Sequence, residues 1–113
     1  MPVSEAEYEA AAFPELKALV RAFDALELDG LEAELQADIL TLEFQDGAKY
    51  VVNSHRAARQ IWLAAERNAW HFDWLPERSA WVATKTDSEL WSTLEAVVAQ
   101  KLGKPVGLRD ARS

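Results

Sequence analysis

The sequence predicts an α+β protein: a two-layer α/β sandwich with two helices, N- and C-terminal, packed on one face of a five- to six-stranded antiparallel sheet. Three observations predict it. Apolar stripes at helical spacing lie near both ends of the chain, each behind a Ser/Thr-x-x-Glu capping pattern. The stretch between them, above all residues 37–74, alternates apolar and polar residues in short runs broken by turn signals. Each helix then has one apolar stripe and the sheet one apolar face, which pack economically only with both helices on the same side. The 113 residues, half of them apolar, are read as a single domain over 1–113 with one modest core.

Ser4-Glu5-Ala6-Glu7 is a capping box, with Ser4 as N-cap and Glu7 at N3. Tyr8, Ala12, Leu16, Leu19, Val20, Phe23 and Leu26 then form a helical stripe, so one helical region is expected over roughly 4–26. Pro14 interrupts it, either as a kink or as the N1 residue of a restarted helix. Asp29-Gly30 marks a turn, and Leu31-Glu32-Ala33-Glu34-Leu35 alternates as a strand with Glu32 and Glu34 on one face.

Residues 39–53 form a hairpin. A two-residue Asp46-Gly47 loop would mix polar and apolar residues on both faces. A three-residue Gln45-Asp46-Gly47 loop pairs Leu40 with Val52, Leu42 with Tyr50 and Phe44 with Ala48, and sets Glu43 across from Lys49. Register follows the buried face, so the three-residue loop is expected. Residues 53–59 read as a polar connection. Gln60–Ala64 is the next strand, with Ile61 and Leu63 inward and Gln60 and Trp62 outward. After a turn at Glu66-Arg67-Asn68, Trp70–Trp74 puts three aromatics on one face and His71 with Asp73 on the other. Pro76–Ser79 turns into a short strand, Ala80–Ala83. Thr86-Asp87-Ser88-Glu89 reads as a second capping box, and Leu90, Trp91, Leu94, Val97, Val98 and Leu102 stripe a helix that stops at Gly103. Val106-Gly107-Leu108 can pack beside the helices, and 109–113 reads as a frayed tail.

The charge is lopsided. Residues 1–46 hold twelve acids against Lys17 and Arg21, and the remainder holds seven acids against ten bases, so the net −7 belongs to the first 46 residues. Such a field repels nucleic acid and attracts cations or a basic protein surface. No apolar run approaches the length of a membrane span. The acidic N-terminus is neither a secretory signal nor a transit peptide, so the expected compartment is the cytoplasm. With no cysteine there is no disulfide, thiolate metal site or Cys nucleophile. Phosphate loop, nucleophile elbow and HExxH are all missing, so no enzyme is expected. His55 and His71 with Glu66 and Asp73 match no metal-binding spacing, and His55 reads as a plain surface histidine. By composition alone, the acids from Asp24 to Asp38 read as a solvated face.

One constellation goes further. Leu40-Thr41-Leu42 before an Asp-Gly hairpin, Val52-Asn53, Gln60-Ile61-Trp62-Leu63-Ala64, His71-Phe72-Asp73, and Trp81 followed ten residues later by Trp91 together resemble the frataxins, in particular their bacterial CyaY-type branch. The resemblance is strong over 37–95 and weak over 1–36. It implies the same helix–sheet–helix sandwich, weak binding of ferrous and ferric iron through carboxylates of the first helix and first-strand edge, and a role in iron–sulfur cluster assembly. That role is regulating, or supplying iron to, the complex of cysteine desulfurase and scaffold protein. The chain departs from the family pattern in Pro14, in Asn68-Ala69 and Asp87 where glycines are usual, and in an acidic ridge that has Asp24 as its one clear carboxylate near the end of the first helix.

Carried onto this sequence, the resemblance implies iron ligands at Asp24, Glu27, Asp29, Glu32 and Glu34, with Asp38, Glu43 and Asp46 at the margin. Carboxylates on an exposed ridge suit a hard cation held weakly and partly hydrated. Trp62 on the open sheet face, with Asn53, Gln60 and His71, is the expected partner-binding surface. Trp70, Phe72, Trp74, Trp81 and Trp91 are expected in the core. A monomer is expected, with iron-induced oligomers and ferroxidase activity as the enzyme alternative, and a metal-independent adaptor as a third.

Overall fold

A computed structural model describes residues 3–112. Helix α1 (Glu5–Leu26) is followed by seven strands, β1 (Leu31–Gln36), β2 (Ile39–Phe44), β3 (Lys49–His55), β4 (Gln60–Ala65), β5 (Asn68–Leu75), β6 (Ala80–Ala83) and β7 (Ser88–Glu89), and then by α2 (Leu90–Leu102). The strands form one antiparallel meander in sequence order. The expected five or six strands are thus corrected to seven. The extra strand is the two-residue β7, which pairs Ser88 with Ala83 and Glu89 with Val82 and is too short to leave any periodic signal.

Helix α1 starts as its capping box dictates: Glu7 N–H donates to Ser4 Oγ, and the Glu7 carboxylate accepts from Ser4 N–H. Its buried stripe is Tyr8, Ala12, Leu16, Leu19 and Phe23. Pro14 does not divide it. Pro14 and Ala10, whose carbonyl loses its helical partner, both lie on the exposed face, where water can take the bond.

The β2–β3 hairpin has the three-residue loop. Leu40 faces Val52, Leu42 faces Tyr50 and Glu43 faces Lys49, while Gly47 turns at φ 89°. Phe44 N–H donates to the Ala48 carbonyl and Gly47 N–H to the Phe44 carbonyl. In this register Leu40, Leu42, Val52, Ile61 and Leu63 are fully buried, each contributing about 1.5–3 kcal/mol. A one-residue slip would turn all of them outward. Strand β3 runs to His55, so the expected polar connection shrinks to a turn over 56–59, with Arg59 at φ 55°.

Three further expectations are revised. The second capping box does not form. Thr86 Oγ1 bonds Ser88 Oγ, and Glu89 is the N-cap, its carboxylate accepting from the N–H groups of Trp91 and Ser92. Strand β7 claims Ser88 for the sheet, which moves the helix start onto Glu89. Trp70 and Trp74 pack against the core but are only partly buried, towards the two ends of β5, whereas Phe72 between them, Trp81 and Trp91 are fully enclosed. Finally, 109–112 are anchored rather than frayed. Leu108 is fully buried, and Arg109 donates to Glu95 through its backbone N–H and its guanidinium. Arg112 lies 4.6 Å over the Trp91 ring and donates to Glu15 at 3.1 Å. Ser113, the last residue of the expected tail, falls outside the described residues.

Candidate functional site

Alternation along each strand divides the sheet. With Leu40, Leu42, Val52, Ile61, Leu63 and Phe72 inward, the opposite face receives Glu32 and Glu34 from β1, Ile39 and Glu43 from β2, Asn53 and His55 from β3, Gln60 and Trp62 from β4, and His71 and Asp73 from β5. Acidic residues and tryptophan therefore share one open face.

The acidic ridge follows the end of α1 into β1. Asp24 sits in the helix's last turn. Glu27 caps the helix in the left-handed conformation (φ 47°, ψ 51°). Asp24, Glu27 and Glu32 line one depression with Phe23, Leu28 and Leu31. Asp29 and Glu32 line a second with Glu43 and Gln45, so Glu32 is common to both. Glu34 borders neither and stands opposite Thr41. Glu32 and Glu43 face each other directly, a like-charge pair that costs stability unless a cation lies between them. Among the described residues no group of three acids or histidines converges on a point. The donor set is all oxygen and spread along a ridge, which fits weak attraction of a hard, hydrated cation. At the margin, Asp46 is committed elsewhere: its carboxylate pairs with Lys101 at 2.6 Å, and that bond holds its pKa below the ordinary range.

The centre of the face is a cross-strand row, Ile39–Asn53–Trp62–His71. Ile39 is 48% exposed, one of two large apolar side chains left in water among the described residues. Trp62 is half-buried and held on both ring faces and at its Nε1–H. His71 stacks on one face of its indole at 4.2 Å and 16°, and His55 stacks on the other at 3.9 Å and 15°. Its Nε1–H donates to Gln60 Oε1 at 2.8 Å, and Gln60 Nε2 donates to Asp73 at 3.1 Å. Asn53, Gln60, Trp62 and His71 therefore lie side by side. Sequence reasoning missed His55 and Ile39. Both follow from register once Asn53 is paired with Trp62: His55 lies two residues from Asn53 on the same face, and Ile39 lies opposite it.

The model of the Frataxin-like domain matches residues 1–104. The chain belongs to the frataxin family. Among curated relatives it is 38% identical over 86 residues to the iron-sulfur cluster assembly protein CyaY of Thioalkalivibrio sulfidiphilus, covering 76% of this chain and 78% of the relative. It is 34% identical over 104 residues to the protein of that name from Pseudomonas entomophila, covering 92% and 94%. Among solved structures, frataxin from Psychromonas ingrahamii superposes with a TM-score of 0.83 at 20% identity, covering 94% of this chain and 98% of that one. Yeast frataxin superposes at 0.69 with 26% identity, covering 86% and 81%. The frataxin architecture of two helices on an antiparallel sheet is thus common to all three structures. No described helix is long and apolar enough to cross a membrane.

Proposed function

We propose that this frataxin-family chain acts in iron–sulfur cluster assembly in the cytoplasm. It binds iron weakly as cargo along Asp24, Glu27, Asp29, Glu32 and Glu34. It docks through Trp62, Asn53, Gln60 and His71 on the complex of cysteine desulfurase and scaffold protein, regulating it or supplying its iron. The observation that carries the reading is the braced Trp62 row, with Ile39 exposed beside it, on the same sheet face as Glu32 and Glu34. A rigid aromatic that need not be ordered on binding is what an interface anchor requires. An acidic margin beside it lets one partner meet both the metal and the apolar row. The curated relatives' printed name, iron-sulfur cluster assembly protein, supports the same assignment.

The test is capture of the desulfurase–scaffold complex with and without Fe²⁺. The chain should capture it, Trp62→Arg should abolish capture without lowering stability, and Fe²⁺ should change the amount captured. Fe²⁺ or Co²⁺ should shift the amides of residues 24–34 and leave 90–102 in place. Unchanged capture by Trp62→Arg sinks the docking face. Silence of 24–34 at millimolar metal sinks the iron site and leaves the adaptor. Catalytic O₂ consumption with Fe²⁺ would instead establish ferroxidase activity.

A further inference from the structure

The chain has two histidines, and both lie on one indole. They come from strands on either side of β4, so the three rings form a stack that runs across β3, β4 and β5. His55 Nδ1 also accepts a hydrogen bond from the Ala58 N–H at 3.3 Å. That nitrogen keeps its lone pair only while the ring is neutral, because a second proton on His55 removes the acceptor. A single imidazolium on an indole face is attracted by the ring's quadrupole. Two imidazolium ions on opposite faces of one indole repel each other through it. Imidazole is the side chain that ordinarily changes charge near neutrality.

The charged groups around the stack belong to several elements. Asp73 on β5 is bonded to Gln60. Arg56 and Arg59 lie in the β3–β4 turn, and Arg59 donates to the Val3 carbonyl. Glu9 on α1 pairs with Arg56 at 3.5 Å. Asp38 lies in the β1–β2 turn, its carbonyl bonded to Ser54 N–H.

We propose that the His55–Trp62–His71 stack is a proton-operated element of the open face: with neutral imidazoles it holds the indole upright for a partner, and with both protonated it opens and releases that partner. The partner arm rests on the docking role proposed above for this face. The opening does not. Release follows because burying two imidazolium ions at an apolar contact costs far more than burying neutral rings.

The test is an NMR titration of the full chain from pH 8 to pH 5, following the imidazole carbon-bound protons and the Trp62 indole N–H. At pH 8 both imidazoles should show the ring-current displacement of stacked rings. By pH 5 both should have lost it, with the Trp62 N–H moving in step and the α2 amides unchanged. In His71→Gln, His55 should keep its displacement down to pH 5, because one imidazolium on the indole is held rather than expelled. Retention of both displacements at pH 5 in the wild type overturns the proposal. So does identical loss of the His55 displacement with and without His71. Capture of the desulfurase–scaffold complex should fall about tenfold over the same range and lose that dependence in His55→Gln, which leaves every docking residue in place. If the stack opens but nothing is captured at any pH, the docking role fails and the release arm with it. If at pH 5 the stack stays closed and capture persists, the proposal fails and the docking role stands.

Discussion

Glu27 breaks two local rules at once, and replacing it should separate stability from metal attraction. It closes α1 in the left-handed region at φ 47°, and its carboxylate sits at the negative end of a helix whose last turn has no basic residue. A left-handed non-glycine residue costs roughly 1–2 kcal/mol. Glycine returns up to about 1 kcal/mol of that through the greater freedom of the unfolded chain, leaving a net gain of about 0.5–1 kcal/mol. Removing the charge from the helix C-terminus adds about 0.3–1 kcal/mol. Glu27→Gly should therefore stabilise the fold by about 0.8–2 kcal/mol, a Tm rise of roughly 3–8 °C for a chain of this size. Glu27→Gln removes the charge and keeps the strain, so it should gain only the smaller, salt-screened part. Urea unfolding followed by circular dichroism, at low and high salt, reads both. Co²⁺ titration of the same variants should show weaker attraction at residues 24–34 in each. A Glu27→Gly variant no more stable than wild type would refute the strain argument. A Glu27→Gln variant that captured the whole gain would assign it to the dipole alone.

The C-terminal anchor yields a second prediction. Glu15 is 8% exposed, and Arg112 is the one cation in ion-pair contact with it among the described residues. At 3.1 Å the attraction would be about 5 kcal/mol at an effective dielectric of 20 and about 1 in water, and half-exposure of Arg112 places Arg112→Ala near ~2 kcal/mol. Glu15→Gln in that background should recover part of the loss, because the carboxylate keeps its hydrogen bond from Trp91 Nε1–H but has lost the cation that balances its buried charge. Additive losses in the unfolding cycle would contradict this. A third concerns acid. The Arg109 N–H and then its guanidinium hold the Glu95 carboxyl below its ordinary pKa. With the folded value below the unfolded one, the stabilisation is complete above the unfolded pKa, near ~4, and is lost as pH falls through the folded value. Glu95→Gln should thus be less stable than wild type at pH 7, and the gap should close below about pH 4. A gap that widened in acid would reverse the sign. A fourth is that Lys101→Met frees Asp46 and destabilises the fold, with Asp46 titrating higher by NMR once the bond that lowers it is gone.

Local alternation was enough to read most of this protein. The period-two pattern of β2 and β3 and the Asp46-Gly47 turn chemistry decide the hairpin register, because a one-residue slip exposes Leu40, Leu42 and Val52. The Ser4 capping box and two apolar stripes decide the helices, and the Gln60–Ala64 and His71–Asp73 motifs pointed to the frataxin family that the match over 1–104 then established. The acids from Asp24 to Glu34 were legible as a ridge because they are neighbours in sequence. What sequence could not decide was side-chain meetings between distant segments. The stacking of His55 and His71 on Trp62 needs three strands in register and three compatible rotamers. The capture of Asp46 by Lys101, 55 residues away, removes a carboxylate from the ridge. The closure of Glu15 by Arg112 across 97 residues turns an expected loose end into an anchored one. The face each residue occupies is set by its own strand, whereas its partners on that face are set only when the whole sheet and both helices are assembled.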